Sequence, residues 1–315
     1  MTFDPMLVIT PQIEDDILVS NVIRDDKVYA SKTRSWLNDL RSIGSHTRNR
    51  SYIIFGTNSA GLNVLICRYL CPQRPPKGFE TRRSCIHLVS IIPFMKDSQS
   101  FIGEMDLWCT NKQFWDIGAG DEEEHATMLY NYLYYISHKS GKLSVGKSSI
   151  GKRHTTKGYP TDEEIANESV FFATGKAIPE GRTNYVIIRD DRRQLRNKYS
   201  ASNYLVINPC TGYVYSAADP NCPLKEINTL ATPYNLWANI QINSEPSKLI
   251  FNLQNKQLWK PYFDSRIPIP EGGIHSVQGD CVYIETTNND ALEIEKSVHQ
   301  SIRNGIRKWR SKRAR

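Results

Sequence analysis

Gly120-Asp-Glu-Glu-Glu-His-Ala126 is the stretch that decides how this chain folds. Asp121 reads as a helix N-cap, and Glu124 falls three residues later, at the spacing of a capping box. The acidic run also suits the positive end of a helix. Leu129, Leu133 and Ile136, with Tyr132, then recur on one face. Beyond that helix, Val170–Thr174, Tyr185–Ile188, Tyr204–Ile207 and Leu236–Ile240 are short strand-like runs between turn residues, with Pro179 and Gly181 as punctuation. One central helix followed by several strands predicts an α+β fold, a helix packed on an antiparallel sheet.

Toward the N-terminus, a helical pattern covers Ser31–Ser42. Ser51–Thr57 and Leu62–Arg68, joined by Asn58-Ser-Ala-Gly61, predict a β-hairpin over about 51–68. Pro72, Pro75 and Pro76 break the chain, and Cys85–Ile92 reads as a further strand ended by Pro93. In the other direction, Ser137–Ser169 is polar, glycine-rich and basic, and reads as a flexible insertion. Ile294, Val298, Ile302, Ile306 and Trp309 recur at helical spacing and predict a basic amphipathic helix at the end. The organisation expected is a flanking region over 1–100, a domain over 101–265 with the insertion at 137–169, and an extension over 266–315.

The 315 residues carry a formal charge of +7, but unevenly. Ser137–Gly158 holds six Lys/Arg and no acid, and Lys296–Arg315 holds eight and no acid; without them 26 bases face 33 acids. A mildly acidic body with basic appendages lacks the basic folded face of a nucleic-acid reader. No apolar run approaches the roughly 18 residues of a membrane span, and acids at positions 4 and 14–16 interrupt any signal-peptide pattern. Seven cysteines without a regular framework suit a reducing compartment. Cys67-x3-Cys71 and Cys85-x-His87 do not have a recognised zinc spacing, and Cys67 sits in a strand-like run as a small hydrophobe.

Gly141-Lys-Leu-Ser-Val-Gly146-Lys147-Ser148 fits the letters of a P-loop. A working P-loop wraps backbone N–H groups round phosphates between a strand and a helix. Here a helix precedes the motif, and Gly151 follows within a segment without a helical face. The motif is read as a biased loop, and a P-loop nucleotide-binding protein as a rival function.

Three segments belong together: Gly120–Ala126, Glu180-Gly-Arg-Thr-Asn-Tyr-Val186 and Tyr204-Leu-Val-Ile-Asn-Pro-Cys210. They resemble the active-site segments of transglutaminase-like, papain-type proteins. In active members of that fold a cysteine begins the helix, a histidine accepts its proton and an aspartate orients the histidine. The resemblance puts Glu122 at the cysteine position, Thr183 at the histidine and Asn208 at the aspartate. None of the three supplies the chemistry its position needs, so the resemblance implies a degenerate active site with no catalytic residue, no metal and no cofactor. A rescue by Cys109 or Cys210 with His125 is the route by which an active cysteine hydrolase or acyltransferase would survive.

Asp106-Leu-Trp-Cys-Thr110, Gly175-Lys-Ala-Ile-Pro-Glu-Gly181, Asn208-Pro-Cys-Thr-Gly212, Cys222-Pro-Leu224, Asn235-Leu-Trp-Ala-Asn-Ile-Gln241 and Leu258-Trp-Lys-Pro261 extend the match from about residue 51 to 310. In that order they resemble the C-terminal region of the coiled-coil and C2 domain-containing 2 family of the ciliary transition zone, whose centrosomal relatives share an inactive peptidase-like domain. What this implies is a structural or docking module of the transition zone or basal body that supports cilium assembly, in the cytoplasm and cytoskeleton at the cilium base. Its partners would be other ciliary-base proteins, met at a cleft whose mouth is marked by Glu122, Thr183 and Asn208, with His125, Arg182, Tyr185 and Tyr204 as candidate docking residues. The upstream coiled coil and C2 region do not occur in this sequence, and the insertion is longer than the family's link.

Overall fold

The computed structural model describes residues 16–97, 106–140, 168–190, 199–283 and 288–313. Most of the insertion, including the whole P-loop-like stretch, lies outside the described residues. The chain divides into two compact units, one ending at Cys281 and one beginning at Val282.

In the first unit, α1 (Asp16–Ile43) and the short α2 (Ser45–Arg48) precede a hairpin of β1 (Phe55–Thr57) and β2 (Asn63–Leu65). The Asn58 side chain closes the hairpin loop by accepting from the N–H groups of Ala60 and Leu62, at 3.0 and 2.9 Å. After Leu65 the chain turns into a 3-10 helix, Ile66–Tyr69, so the second strand is shorter than its apolar run. α1 is longer than Ser31–Ser42 and, ahead of that stretch, buries Asp26 and Tyr29. Its second half docks through Trp36 Nε1, which donates to the Pro261 carbonyl at 3.0 Å, and through Thr33 against the Tyr262 hydroxyl at 2.7 Å.

Cys85–Ile92 is not a strand. All but its last two residues lie in α3 (Arg82–Ser90), where Thr81 and Ser84 form a capping box. Cys85, Leu88 and Val89 are buried at helical spacing. A short apolar run does not separate strand from helix, and here the cap decides.

α4 (Asn111–Ile117) opens on a second capping box, Thr110 with Gln113, and ends at Gly118, whose φ of 72° is the left-handed conformation that favours glycine. α5 (Glu122–Ser140) is the central helix. From Glu124 to Tyr135 it is buried all round, wider than the single apolar face read from sequence. Within it Asn131 donates to the Tyr69 carbonyl at 3.0 Å and accepts from the Cys71 N–H at 2.8 Å.

α5 packs on an antiparallel sheet of β3 (Val170–Ala177), β4 (Gly181–Arg189), β5 (Tyr204–Ile207), β6 (Val214–Ser216), β7 (Leu224–Ala231), β8 (Leu236–Asn239) and β9 (Trp259–Pro261). The order across the sheet is β6-β5-β4-β3-β7-β8-β9. Phe172, on the face that α5 covers, meets the rings of Tyr130 and Trp108. The opposite face carries Phe171, Tyr185, Ile187, Tyr204 and Leu230, covered by Leu249, Phe251 and Trp259. Tyr204 and Phe251 stack there at 4.3 Å. The α+β architecture expected from sequence is the one observed.

The second unit contains α6 (Asn288–Arg313), a helix whose apolar side chains are solvent-exposed. None of the described helices is long and apolar enough to cross a membrane.

Candidate functional site

The start of α5 is fixed by its acids. Glu124 reaches back to accept from the Asp121 N–H at 3.1 Å, and Asp121 accepts from the Glu123 N–H at 3.3 Å. The other oxygen of Glu124 accepts from the Cys109 N–H at 2.9 Å, tying the segment before α4 to the helix start. Asp97 does the same for the Leu107 N–H. Asp97, Asp121 and Glu124 bring a carboxylate oxygen each within 4.8 Å of one another, as do Asp121, Glu122 and Glu123. These are the groupings among the described residues that could hold a cation, and they contain no cysteine or histidine. In the first, the oxygens of Asp97 and Glu124 already serve backbone N–H groups, which is a structural use.

Crowding of like charge out of water disfavours ionisation. Burial raises Glu123 and Glu124 well above the usual carboxylate range, with the Asp121 charge adding. Asp97 is raised to about 6, chiefly by burial, with Asp121 and Asp106 adding and the Leu107 N–H opposing. A carboxyl whose folded value is raised binds a proton more tightly in the folded state. Its stabilising contribution is therefore greatest below its ordinary value and is lost as pH rises through about 6. For Asp97 the loss amounts to roughly 3 kcal/mol at most. Asp97→Asn keeps an acceptor for Leu107 and removes the titration. We expect it to raise the urea midpoint at pH 8 while leaving it unchanged near pH 4; parallel pH profiles for parent and variant would exclude this account.

The thiols near the helix start are held protonated. Burial pushes Cys109 well above its ordinary value, with Glu124, Asp97 and Asp121 adding. Burial does the same to Cys210, with Glu122, Glu123, Asp121 and Glu180 adding. Low-pKa cysteines sit in electropositive surroundings, and these sit in the reverse. His125 is fully buried: Nδ1 lies 2.7 Å from the Asp121 carbonyl oxygen and Nε2 3.0 Å from that of Ile92. Both ring nitrogens face backbone acceptors, which leaves neither directed at a thiol.

Asn208 follows β5. Its Nδ2 donates to Glu180 at 3.1 Å and to the Tyr185 hydroxyl at 2.8 Å, while the Tyr185 hydroxyl donates to Glu180 at 3.2 Å. Its Oδ1 accepts from the N–H groups of Cys210 and Thr211, both at 3.1 Å. The amide matters, because a carboxylate would face Glu180 with no proton between them. Asn208→Asp should therefore destabilise at neutral pH by about 1–3 kcal/mol. Glu180→Gln in the same chain should restore most of the loss in denaturant melts; an unrescued loss would show that Glu180 is not the cause.

Strand pairing places Thr183 opposite Gly175, on the sheet face shared with Tyr185 and Ile187. That face is turned away from α5. The side chains of β4 on α5's face at this end are Arg182 and Asn184, with Val186 following. Asn184 is buried, and neither atom of its amide has a hydrogen-bond partner among the described residues. Glu122, Glu180 and Cys210 act electrostatically on one another's neighbourhood, and Asn208 and Tyr185 join through Glu180. Of the four candidate docking residues, Arg182 is exposed, whereas His125, Tyr185 and Tyr204 are buried and offer no outer surface. The two tyrosines belong to the core beneath the sheet.

An exposed apolar rim was not legible from periodicity. Ile91 and Phe94 flank the Ile92 and Pro93 carbonyls, which bond to His125 and to the Gly120 N–H. Tyr213 follows Gly212, where any side chain would meet Ser90 of α3. These side chains are 60%, 45% and 66% exposed, beside the acidic helix start.

Residues 106–166 and 165–262 match the family described as the CEP76 peptidase-like domain. Human Protein CC2D2B is 24% identical over 84% of this chain and 16% of its own length. The Drosophila melanogaster coiled-coil and C2 domain-containing protein 2A is 22% identical over 78% of this chain and 15% of its own length. The Xenopus tropicalis centrosomal protein of 76 kDa is 20% identical over 77% of this chain and 33% of its own length. The chain thus spans a third or less of the length of each of these relatives. Among solved structures, calcium-bound Legionella pneumophila LapG aligns with a TM-score of 0.32 at 12% identity, over 53% of this chain and 71% of its own. With the match across the helix start, β3–β9 and the Asn208 turn, this chain belongs to the CEP76 peptidase-like domain family.

Proposed function

We propose that this chain supplies a non-catalytic docking module at the cilium base, built on a transglutaminase-like core whose active site has degenerated. The observation that carries the reading is the helix start. The resemblance assigns Glu122 to the nucleophile's position, burial and nearby acids hold the thiols protonated, and His125 is committed to two carbonyls. Without a thiolate and a base in contact, cysteine chemistry has no starting point. The name of the centrosomal relatives supports the location.

A fold that sheds its chemistry keeps its surface relief, and that relief is available for binding. The docking surface we propose is the rim of Ile91, Phe94 and Tyr213 with Arg182, set beside the acids at 121–123. It suits a partner segment with apolar side chains flanked by Lys or Arg, which complements both the rim and the charge. Ile91→Glu with Tyr213→Glu tests it, since exposed positions shift stability by only about 0.5 kcal/mol. With melting unchanged, the tagged double variant should no longer concentrate at the ciliary base. Retained localisation of a folded variant would remove this surface from the proposal.

A further inference from the structure

We infer that α6 is a membrane-surface helix that lays its apolar face into an anionic lipid bilayer. The inference stands apart from the docking reading, because it rests on the second unit alone. Ile294, Val298, Ile302, Ile306 and Trp309 are each between 46% and 58% exposed, so within its own unit this face has no cover.

The spacing says what kind of cover fits. A helix advances about 100° per residue, so each four-residue step moves the stripe about 40° round the axis. Three such steps, from Ile294 to Ile306, spread the apolar side chains over an arc of roughly 120°, and Trp309 falls inside it. A two-stranded coiled coil instead alternates steps of three and four to hold a narrow seam. A second copy of this helix would find no seam, and it would bring a second cluster of cations with it. A broad arc suits a flat apolar medium.

Charge selects the lipid. From Lys296 onward the helix has no acid, and Lys296, Arg303, Arg307 and Arg310 run as one strip beside the Ile306 edge of the arc. Side chains of this kind keep their heads at the level of anionic headgroups while their stems cover apolar surface. Arg313 places its guanidinium 4.6 Å from the Trp309 ring centre, pairing the cation with the aromatic group suited to the interfacial layer. The composition is that of a helix that lies on a membrane: a charged face, an apolar face and low overall hydropathy.

The test is co-sedimentation of the full chain with vesicles of phosphatidylcholine alone, or with about one third phosphatidylserine. Binding to the anionic vesicles should be at least ~10-fold stronger, and Arg303→Glu/Arg307→Glu/Arg310→Glu should weaken it by ~100-fold or more. Ile302→Asp/Ile306→Asp should abolish it without moving the melting of the first unit. Equal binding to both vesicles overturns the inference. So does anionic binding that survives Ile302→Asp/Ile306→Asp, which would assign it to the basic stretch at 137–158. A concentration-dependent dimer that the same substitutions dissolve, with no vesicle binding, would assign the face to a second copy. A folded chain that ignores vesicles but captures an acidic protein through this face would overturn the inference equally.

Discussion

Gly175→Ala is expected to lower the urea midpoint sharply. Gly175 sits where β3 shifts register against β7: Thr174 pairs with Thr229, and Gly175 with Ile227. This irregularity presses the Glu226 backbone against the glycine. An added Cβ would lie 1.8 Å from the Glu226 carbonyl oxygen and 2.9 Å from its carbon. Both are main-chain atoms in a paired strand, so no side-chain rotation relieves the clash. Overpacking of rigid neighbours costs about 1–3 kcal/mol, and more where the backbone itself must move. Against a typical total stability of about 5–15 kcal/mol, the expected loss is about 3 kcal/mol or more. Urea melts of soluble protein check this. Gly279→Ala is the control, since a Cβ there meets nothing within 4 Å. A Gly175→Ala chain that melts with the parent would mean that β7 can slip its register freely.

Asp26→Ala is expected to cost about 3–5 kcal/mol. Asp26 and Arg68 form a pair that is almost wholly buried, with Nε 3.0 Å from Oδ1. The second oxygen of Asp26 accepts from the Leu65 N–H at 3.0 Å, and Arg68 donates to the His275 carbonyl at 3.1 Å. The pair joins α1, the end of β2 and the segment at 275–277, whose Val277 N–H returns to the Arg68 carbonyl at 2.9 Å. Removing Asp26 takes the carboxylate from a buried cation and leaves the Leu65 amide without its acceptor. Removing both charges with apolar side chains of similar volume takes a partner from the Leu65 amide and from the His275 carbonyl but leaves no buried charge behind. Asp26→Leu/Arg68→Met should therefore recover most of the loss. Additive losses in the two single variants and the double would show that the charges do not act as a pair.

Much of the fold is legible before any coordinates. The cap at Asp121 and Glu124 and the runs at Val170 and Tyr204 are local patterns that tertiary contacts reinforce, and the stepping of Ile294 to Trp309 is a local pattern complete in itself. α3 was not legible as a helix, because Cys85–Ile92 is short and rich in residues that both classes accept. The site was legible only in part. Segment order brings Asp121–Glu124, Glu180–Val186 and Tyr204–Cys210 together, but it does not say which way β4 faces. One residue of register decides between Thr183 and its neighbours Arg182 and Asn184. The burial of His125 against the Ile92 carbonyl, and the bond from Cys109 to Glu124, join positions far apart in sequence. No periodicity announces such contacts.

The bonds that anchor the first turn of α5 run through the side chains of Asp121 and Glu124. Position 122, between them, is spared from that duty. A change of side chain at 122 therefore leaves the anchors of the helix in place. Mooring the helix and facing outward at its first turn are thus tasks of different side chains, so the outward one can be altered while the interior stays intact.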